Sequence, residues 1–200
     1  MRADLSRPLW SAPAEPWRNN GGTTQLLVSS PVEGDWRISL AQVDQDGRYS
    51  RFEGMQRTSV VVGGDGLTLQ HLDTEIELAP HVPVSFDGAL DWHARLHGGA
   101  VKALNAMVRK DRYQATMRVL HSRAIVASDK TAVVVSLSRA VSYSVGDTGV
   151  AGLVPPGFWI TLSSFTGPLR LTPIETDPAP GDPGVSVLVT IAAIHEEDSL

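Results

Sequence analysis

The sequence predicts an all-β protein made of two similar β-barrel halves packed as one compact unit, and three observations lead there. First, 18 glycines and 13 prolines punctuate a chain of 200 residues. Short segments rich in Val, Ile, Leu and Thr lie between them, a rhythm of sandwiches and barrels rather than of βαβ units. Second, several segments alternate apolar with polar residues, the period of a half-buried strand. Third, the second half echoes the first. The run SVVVGGDGLTLQHL…LAPHVPVSF (59–86) and the run AVVVSLSRAVSYSV…LVPPGFWITL (132–162) share an order of apolar strand, turn, alternating strand and x-Pro step. Their offset of about 75 residues is too long for a solenoid repeat, so two barrel halves explain it better. The expected division is 1–110 for the first half and 111–200 for the second, with strands exchanged between them. No low-complexity linker separates the two.

Along the chain, PWRNNGGTT (16–24) contains Asn-Gly and Gly-Gly, which permit a left-handed backbone and place a tight turn before the strand TTQLLV. Trp36, Ile38 and Leu40 alternate with Arg37, Ser39 and Ala41 and read as a strand. Asp44 and Asp46, beside Gly47, read as a turn. RTSVVV (57–62), GGDG (63–66) and LTLQHL (67–72) together predict a hairpin with a glycine-rich turn. TEIEL (74–78) and WHARLH (92–97) alternate again, the latter ending at Gly98-Gly99. The stretch 99–120 has the most helical composition and reads equally as a short helix or as a turn followed by a strand. ETDPAPGDPG (175–184) predicts a loop, VSVLVTIAAI (185–194) a final buried strand, and HEEDSL (195–200) a solvated end.

Composition excludes several function classes. A hydrophobic share of 42% and a charged share of 20% supply an ordinary globular core. The formal charge of −5 is spread without a basic block, so nucleic acid and anionic membrane are poor partners. With no cysteine, disulfides and thiolate chemistry are excluded. The first ten residues lack the apolar region of a secretory signal, and no apolar run approaches the ~20 residues of a membrane span. A cytoplasmic location is expected.

Candidate chemistry is sparse. The six histidines include no His-x-His; His93 and His97 lie four apart on one face, and His71 has Glu75 and Glu77 nearby. A metal site needs three or four converging ligands, so no metal and no cofactor are expected. There is no Gly-x-Ser-x-Gly, and VVVGGDG lacks phosphate-loop spacing. The polar surplus of PWRNNGGTT is the exception. A bare turn needs only Asn-Gly, yet Arg18 adds a fork suited to carboxylates, and Asn19, Thr23 and Thr24 add donors and acceptors. Arg37, Arg51, Arg57 and Arg109 lie in other polar stretches, and together they are able to converge on a small anion. Arginines on the solvent face of edge strands are the competing account.

These residues also carry a family resemblance. PWRNNGGTT (16–24), WRISLAQVDQDGRYSRFEGMQR (36–57), SFDG (85–88) and LNAMVRK (104–110) resemble, in order and spacing, the motifs of the HutD/Ves family. The matches span roughly half the chain. The resemblance implies a bicupin, two jelly-roll-like barrels in one chain, associated with histidine utilisation and without a settled activity. It implies a small-molecule-binding modulator, with urocanate or formylglutamate as ligands that an arginine-lined cup would suit, and a homodimer. The departures from the family wording are Asn20, Leu26, Arg48, Glu53, Gln56 and Ala103. The expected ligand-binding residues are Arg18, Asn19, Thr23, Thr24, Arg37, Arg51, Asn105 and Arg109. No catalytic residue is assigned, and binding is favoured over catalysis. The alternative is a cupin-type isomerase or metal-dependent oxygenase acting on a small carboxylate or sugar.

Overall fold

The computed structural model describes residues 2–3, 6–175 and 184–194. The segments expected as the Pro/Gly/Asp loop and the acidic end therefore lie mostly or wholly outside the described residues. Among the described residues the chain is all-β apart from one short 3-10 turn at Leu9–Ser11. Two N-terminal strands, β1 (Arg2–Ala3) and β2 (Arg7–Pro8), precede β3 (Ala14–Pro16) and β4 (Gly22–Ser29). The first set of eight strands follows: β5 (Trp36–Val43), β6 (Gly47–Arg48), β7 (Met55–Gly63), β8 (Leu67–His71), β9 (Thr74–Leu78), β10 (Val84–Asp87), β11 (His93–Leu96) and β12 (Val101–Arg109). The second set comprises β13 (Tyr113–Val119), β14 (Ala124–Val126), β15 (Thr131–Ser136), β16 (Val141–Val145), β17 (Val150–Val154), β18 (Phe158–Ser163), β19 (Leu169–Pro173) and β20 (Ser186–Ala193).

The two sets have the same topology. In the first, β10-β7-β12-β5 form one sheet and β6-β11-β8-β9 the other; in the second, β18-β15-β20-β13 and β14-β19-β16-β17 do so in the same order. Substituting β5 by β13 and counting on reproduces every neighbour. The echo in the sequence is this duplication. β4 and β3 extend the first large sheet beyond β5, while β1 and β2 pair with β18 of the second. One compact unit is built from Ala12–Ala115, and the other from Thr116–Ala193 together with the N-terminal strands.

Each barrel has its own core. In the first, Leu67, Leu69 and Leu78 of the small sheet pack with Val43, Val61, Phe86, Trp92 and Val101. In the second, Val134, Ile160, Leu162, Leu169, Leu171 and Leu188 fill the interior with Phe165 and Val145. The central strands of the large sheets are buried on both faces, as in the all-buried run Ala132–Ser136. That is why VVV appears there in place of alternation.

Two expectations need correction. The hairpin predicted across GGDG does not form. β7 pairs with β10 and β12, whereas β8 pairs with β9 and β11. Gly64 (φ 88°) and Gly66 (φ 101°) instead carry the chain from one sheet to the other. A Cβ on either would lie within 2.7 Å of a backbone oxygen, so the crossing needs glycine for space as well as conformation. Secondly, the stretch 99–120 is neither helix nor turn-plus-strand but two strands, β12 and β13, in different sheets. Pairing on both sides of β12 overrides its helical composition.

Candidate functional site

The interior of the first barrel is where the sequence's polar residues converge, and strand register explains how. On β12, Asn105 lies between Ser39 of β5 and Ser59 of β7, while Met107 lies between Arg37 and Arg57. Side chains two apart share a face, so an Arg-x-Ser pair from each flanking strand and Asn105-x-Met107 from the centre face the same cavity. With neighbouring strands about 4.8 Å apart, the backbones of Arg37 and Arg57 stand roughly 10 Å apart across it.

Asn105 is the organiser. Its side-chain carbonyl accepts from Arg57 Nε at 3.1 Å, from Arg57 Nη2 at 2.8 Å and from Ser59 Oγ at 2.5 Å. Its amide donates to the carbonyl of Ala103 at 3.2 Å, which fixes the orientation. Arg57 is only 5% exposed and its guanidinium lies 4.5 Å from the Tyr49 ring centre and 5.4 Å from that of Phe86. Ring faces attract a cation without neutralising it. Burial pulls the Arg57 pKa down to about 10, with Tyr49 opposing and Arg37 adding to the fall. Burial also raises the Tyr49 phenol. Arg37 sits over Phe52 at 5.8 Å, and among the described residues its buried Nε has no hydrogen-bond partner. Taking an ion out of water costs several kcal/mol unless it is compensated, and among the described residues no carboxylate lines the recess.

The recess is small, with a cavity volume of about 40 Å³, and is lined by Arg37, Arg57, Ser39, Asn105, Met107, Tyr49, Phe52, Trp17 and Thr24, among others. It shares Trp17, Thr24, Arg37, Tyr49 and Phe52 with a wider mouth of about 720 Å³, open to solvent, whose rim adds Glu15, Arg18, Asn19, Leu26, Arg48 and Arg51. The hairpin between β3 and β4 builds this rim. Trp17 N–H donates to Gly22 O at 2.9 Å and Asn20 N–H to Trp17 O at 3.0 Å, and Trp17 Nε1 donates to Thr24 Oγ1 at 2.7 Å. Asn19 ties the hairpin down, donating to Arg48 O at 3.3 Å while accepting from Gly21 N–H at 3.1 Å.

Six of the eight expected residues reach the cavity. Thr24 and Arg37 line both parts, Asn105 forms the floor, and Arg18, Asn19 and Arg51 stand at the mouth. Arg51 is occupied there, donating to Ala89 O at 2.8 Å and pairing with Glu53 at 2.6 Å. Thr23, one position out of phase with Thr24, is outside the lining. So is Arg109, at the end of β12, where it pairs with Asp111 at 3.0 Å. Sequence reasoning left Arg57 out of its selection and did not single out Tyr49, Phe52, Trp17 or Met107. The available signal was Arg-x-Ser at 37–39 and 57–59, on the strands flanking Asn105, although the same pattern also occurs at 48–50.

Most departures from the family wording now have a physical setting. Asn20 adopts φ 54°, a left-handed conformation that Asn tolerates better than most residues. Leu26 is at the mouth, and Ala103 is in the lumenal row beyond Asn105. Arg48 faces Asp91 at 3.6 Å, Glu53 holds Arg51, and Gln56 donates to Phe86 O at 3.0 Å.

A metal does not fit this lumen. Two guanidinium groups, an amide and hydroxyls face it, with neither imidazole nor carboxylate at the floor, and divalent cations need those donors. Among the described residues, no three His, Asp or Glu side chains are grouped to hold an ion. His97 shares a hydrogen bond with Thr68 Oγ1 at 2.9 Å, and His93 lies beside His71 on a separate surface pocket.

Fold and site together define a bicupin whose first barrel holds a cationic recess. The chain belongs to the HutD family, whose model matches residues 11–153. Over 112 residues it is 33% identical to an uncharacterized 21.2 kDa protein of the hutC 3′ region of Pseudomonas putida, covering 53% of this chain and 58% of that protein. The chain thus spans little more than half the length of this relative. It is 29% identical to protein Ves of Citrobacter koseri over 68% of this chain and 72% of that one. Among solved structures, a conserved protein of unknown function from Pseudomonas aeruginosa PAO1 superimposes with a TM-score of 0.79 at 24% identity, covering 96% of this chain and 100% of that one. HutD from Pseudomonas fluorescens SBW25, in a formate condition, gives 0.75 at 20% identity over 96% and 99%. These two likenesses show the fold. No helix among the described residues is long and apolar enough to cross a membrane.

Proposed function

We propose that the first barrel is a binding cup for a small carboxylate metabolite, and that the protein acts as a ligand-binding modulator of histidine or urocanate catabolism. One observation carries the binding reading: Arg57, buried beneath the cavity, is held by a neutral amide and two aromatic rings and faces no carboxylate. A ligand anion completes that arrangement by charge-assisted, bidentate hydrogen bonds, and the unpartnered Arg37 Nε offers another donor. Trp17, Tyr49 and Phe52 supply apolar walls for the rest of the molecule. The pathway reading rests on the family and on the hutC-region relative.

The test is a thermal-shift series with formate, urocanate, formylglutamate and succinate against chloride at matched ionic strength. A ligand at a hundred times its dissociation constant adds about 2.7 kcal/mol, which in a chain of this size raises the Tm by roughly 5–10 °C. Arg57→Met is expected to remove the first barrel's share of the response, the larger part, while leaving the ligand-free Tm unchanged or higher. The binding reading fails if no anion shifts the wild type, or if Arg57→Met responds as the wild type does. If simple carboxylates bind but urocanate and formylglutamate do not, the pathway assignment fails alone.

A further inference from the structure

The duplicated topology gives the second barrel a counterpart of the first barrel's opening, and polar groups line it. β13, β20 and the segment after β14 hold the places that β5, β12 and the segment after β6 hold in the first barrel. Together they border an open depression of about 200 Å³. Its floor includes Val126 and Leu188, which belong to the filled second core, so an occupant is stopped at the mouth. Its walls carry Thr116 and Arg118 from β13, Thr190 from β20, and Lys130 from the segment before β15. The Thr116 and Thr190 hydroxyls are 2.6 Å apart; each donates one proton, and only one of those is used between them. Among the described residues, neither Arg118 nor Lys130 takes part in an ion pair, and no carboxylate lines the depression.

We infer that this mouth is a second anion site, taking a small oxyanion, carboxylate or phosphate, between Arg118 and Lys130 with the threonine pair as a hydroxyl donor. The guanidinium supplies a planar fork and the ammonium a movable point charge. The site does not depend on the first-barrel cup, because no residue is shared. Its cations remain in contact with water, so it binds more weakly than a site around a buried arginine.

The full chain, labelled with 15N, is titrated with sodium formate and, separately, with sodium phosphate, each against sodium chloride at matched ionic strength. Saturable amide shifts are expected at Thr116, Arg118, Ala127 and Thr190 with at least one oxyanion and not with chloride. The double variant Arg118→Gln with Lys130→Gln should weaken that response by roughly tenfold or more, and Arg57→Met should leave it intact. Which oxyanion saturates identifies the source. Linear shifts, shifts equal to those with chloride, or a response that survives the double variant overturn the inference. Both substitutions replace exposed or half-buried cations with a polar residue, so folding is not at risk. Loss of first-barrel binding alone leaves the inference standing.

Discussion

Asn105 and Arg57 concentrate the functional problem at the scale of single residues. The amide oxygen takes three hydrogen bonds, two from Arg57 and one from Ser59, and it supplies no charge. Asn105→Asp adds the missing charge without changing shape. The new carboxylate would meet Arg57 at the 2.8 and 3.1 Å now seen, at the expense of the bond to Ala103 O. The expected net gain is about 1–2 kcal/mol, together with loss of the thermal response to added carboxylates. The sign with pH follows from the arginine. It would hold the introduced carboxyl below its unfolded value near 3.9, so the gain is present above about pH 4 and disappears as pH falls through the folded value. A variant less stable than wild type at pH 7 that still binds carboxylates would show that Arg57 is not short of an anion.

At the scale of elements, the rim hairpin is set by space. Gly22 pairs with Val43, and a Cβ there would lie 2.0 Å from Gln42 O. A backbone atom cannot swing aside as a side chain can. Gly22→Ala is therefore expected to cost about 1–3 kcal/mol, whereas Gly21→Ala, whose nearest neighbours are the movable side-chain atoms of Asn19, costs less; paired thermal melts compare them. The sequence showed the turn because Asn-Gly-Gly is local chemistry. It could not show that the second glycine makes room for the backbone of the neighbouring strand, about twenty residues away in sequence. The β10 end offers a test by pH. Lys110 and the Ala89 N–H hold the Asp87 carboxyl below its usual range. Stability from this group is then present above the unfolded pKa near 3.9 and lost as pH falls through the lower folded value. The pair is more than a third exposed, so the contribution is under about 1 kcal/mol. Asp87→Asn should flatten the Tm profile between pH 2 and 5 by that amount; a profile identical to wild type would remove Asp87 from the account.

At the scale of the whole molecule, one topology has been given two interiors. The duplication was readable because VVV runs and x-Pro steps recur, and those are features of strands in any setting. The sheet crossing at GGDG was not, since a glycine turn between two strands reads the same whether they pair or part. Nor did the sequence say which barrel is open, because that depends on cross-strand register. Arg37, Arg57 and Asn105 are 68 residues apart at most and meet only when β5, β12 and β7 lie side by side. The same topology in the second barrel brings Val134, Ile160 and Leu188 together, and the interior closes. Stability and binding should then separate by barrel. Leu171, fully buried in the second core, is expected to cost about 2–5 kcal/mol on truncation to Ala, through lost transfer energy and the cavity left behind. Because that loss falls in the second core and not among the residues of the first-barrel cup, Leu171→Ala should lower the Tm while keeping the wild-type dissociation constant of the carboxylate site that Arg57→Met abolishes. Titration well below the lowered Tm measures this, and a parallel loss of affinity would show that the first barrel's cup depends on the second barrel's packing.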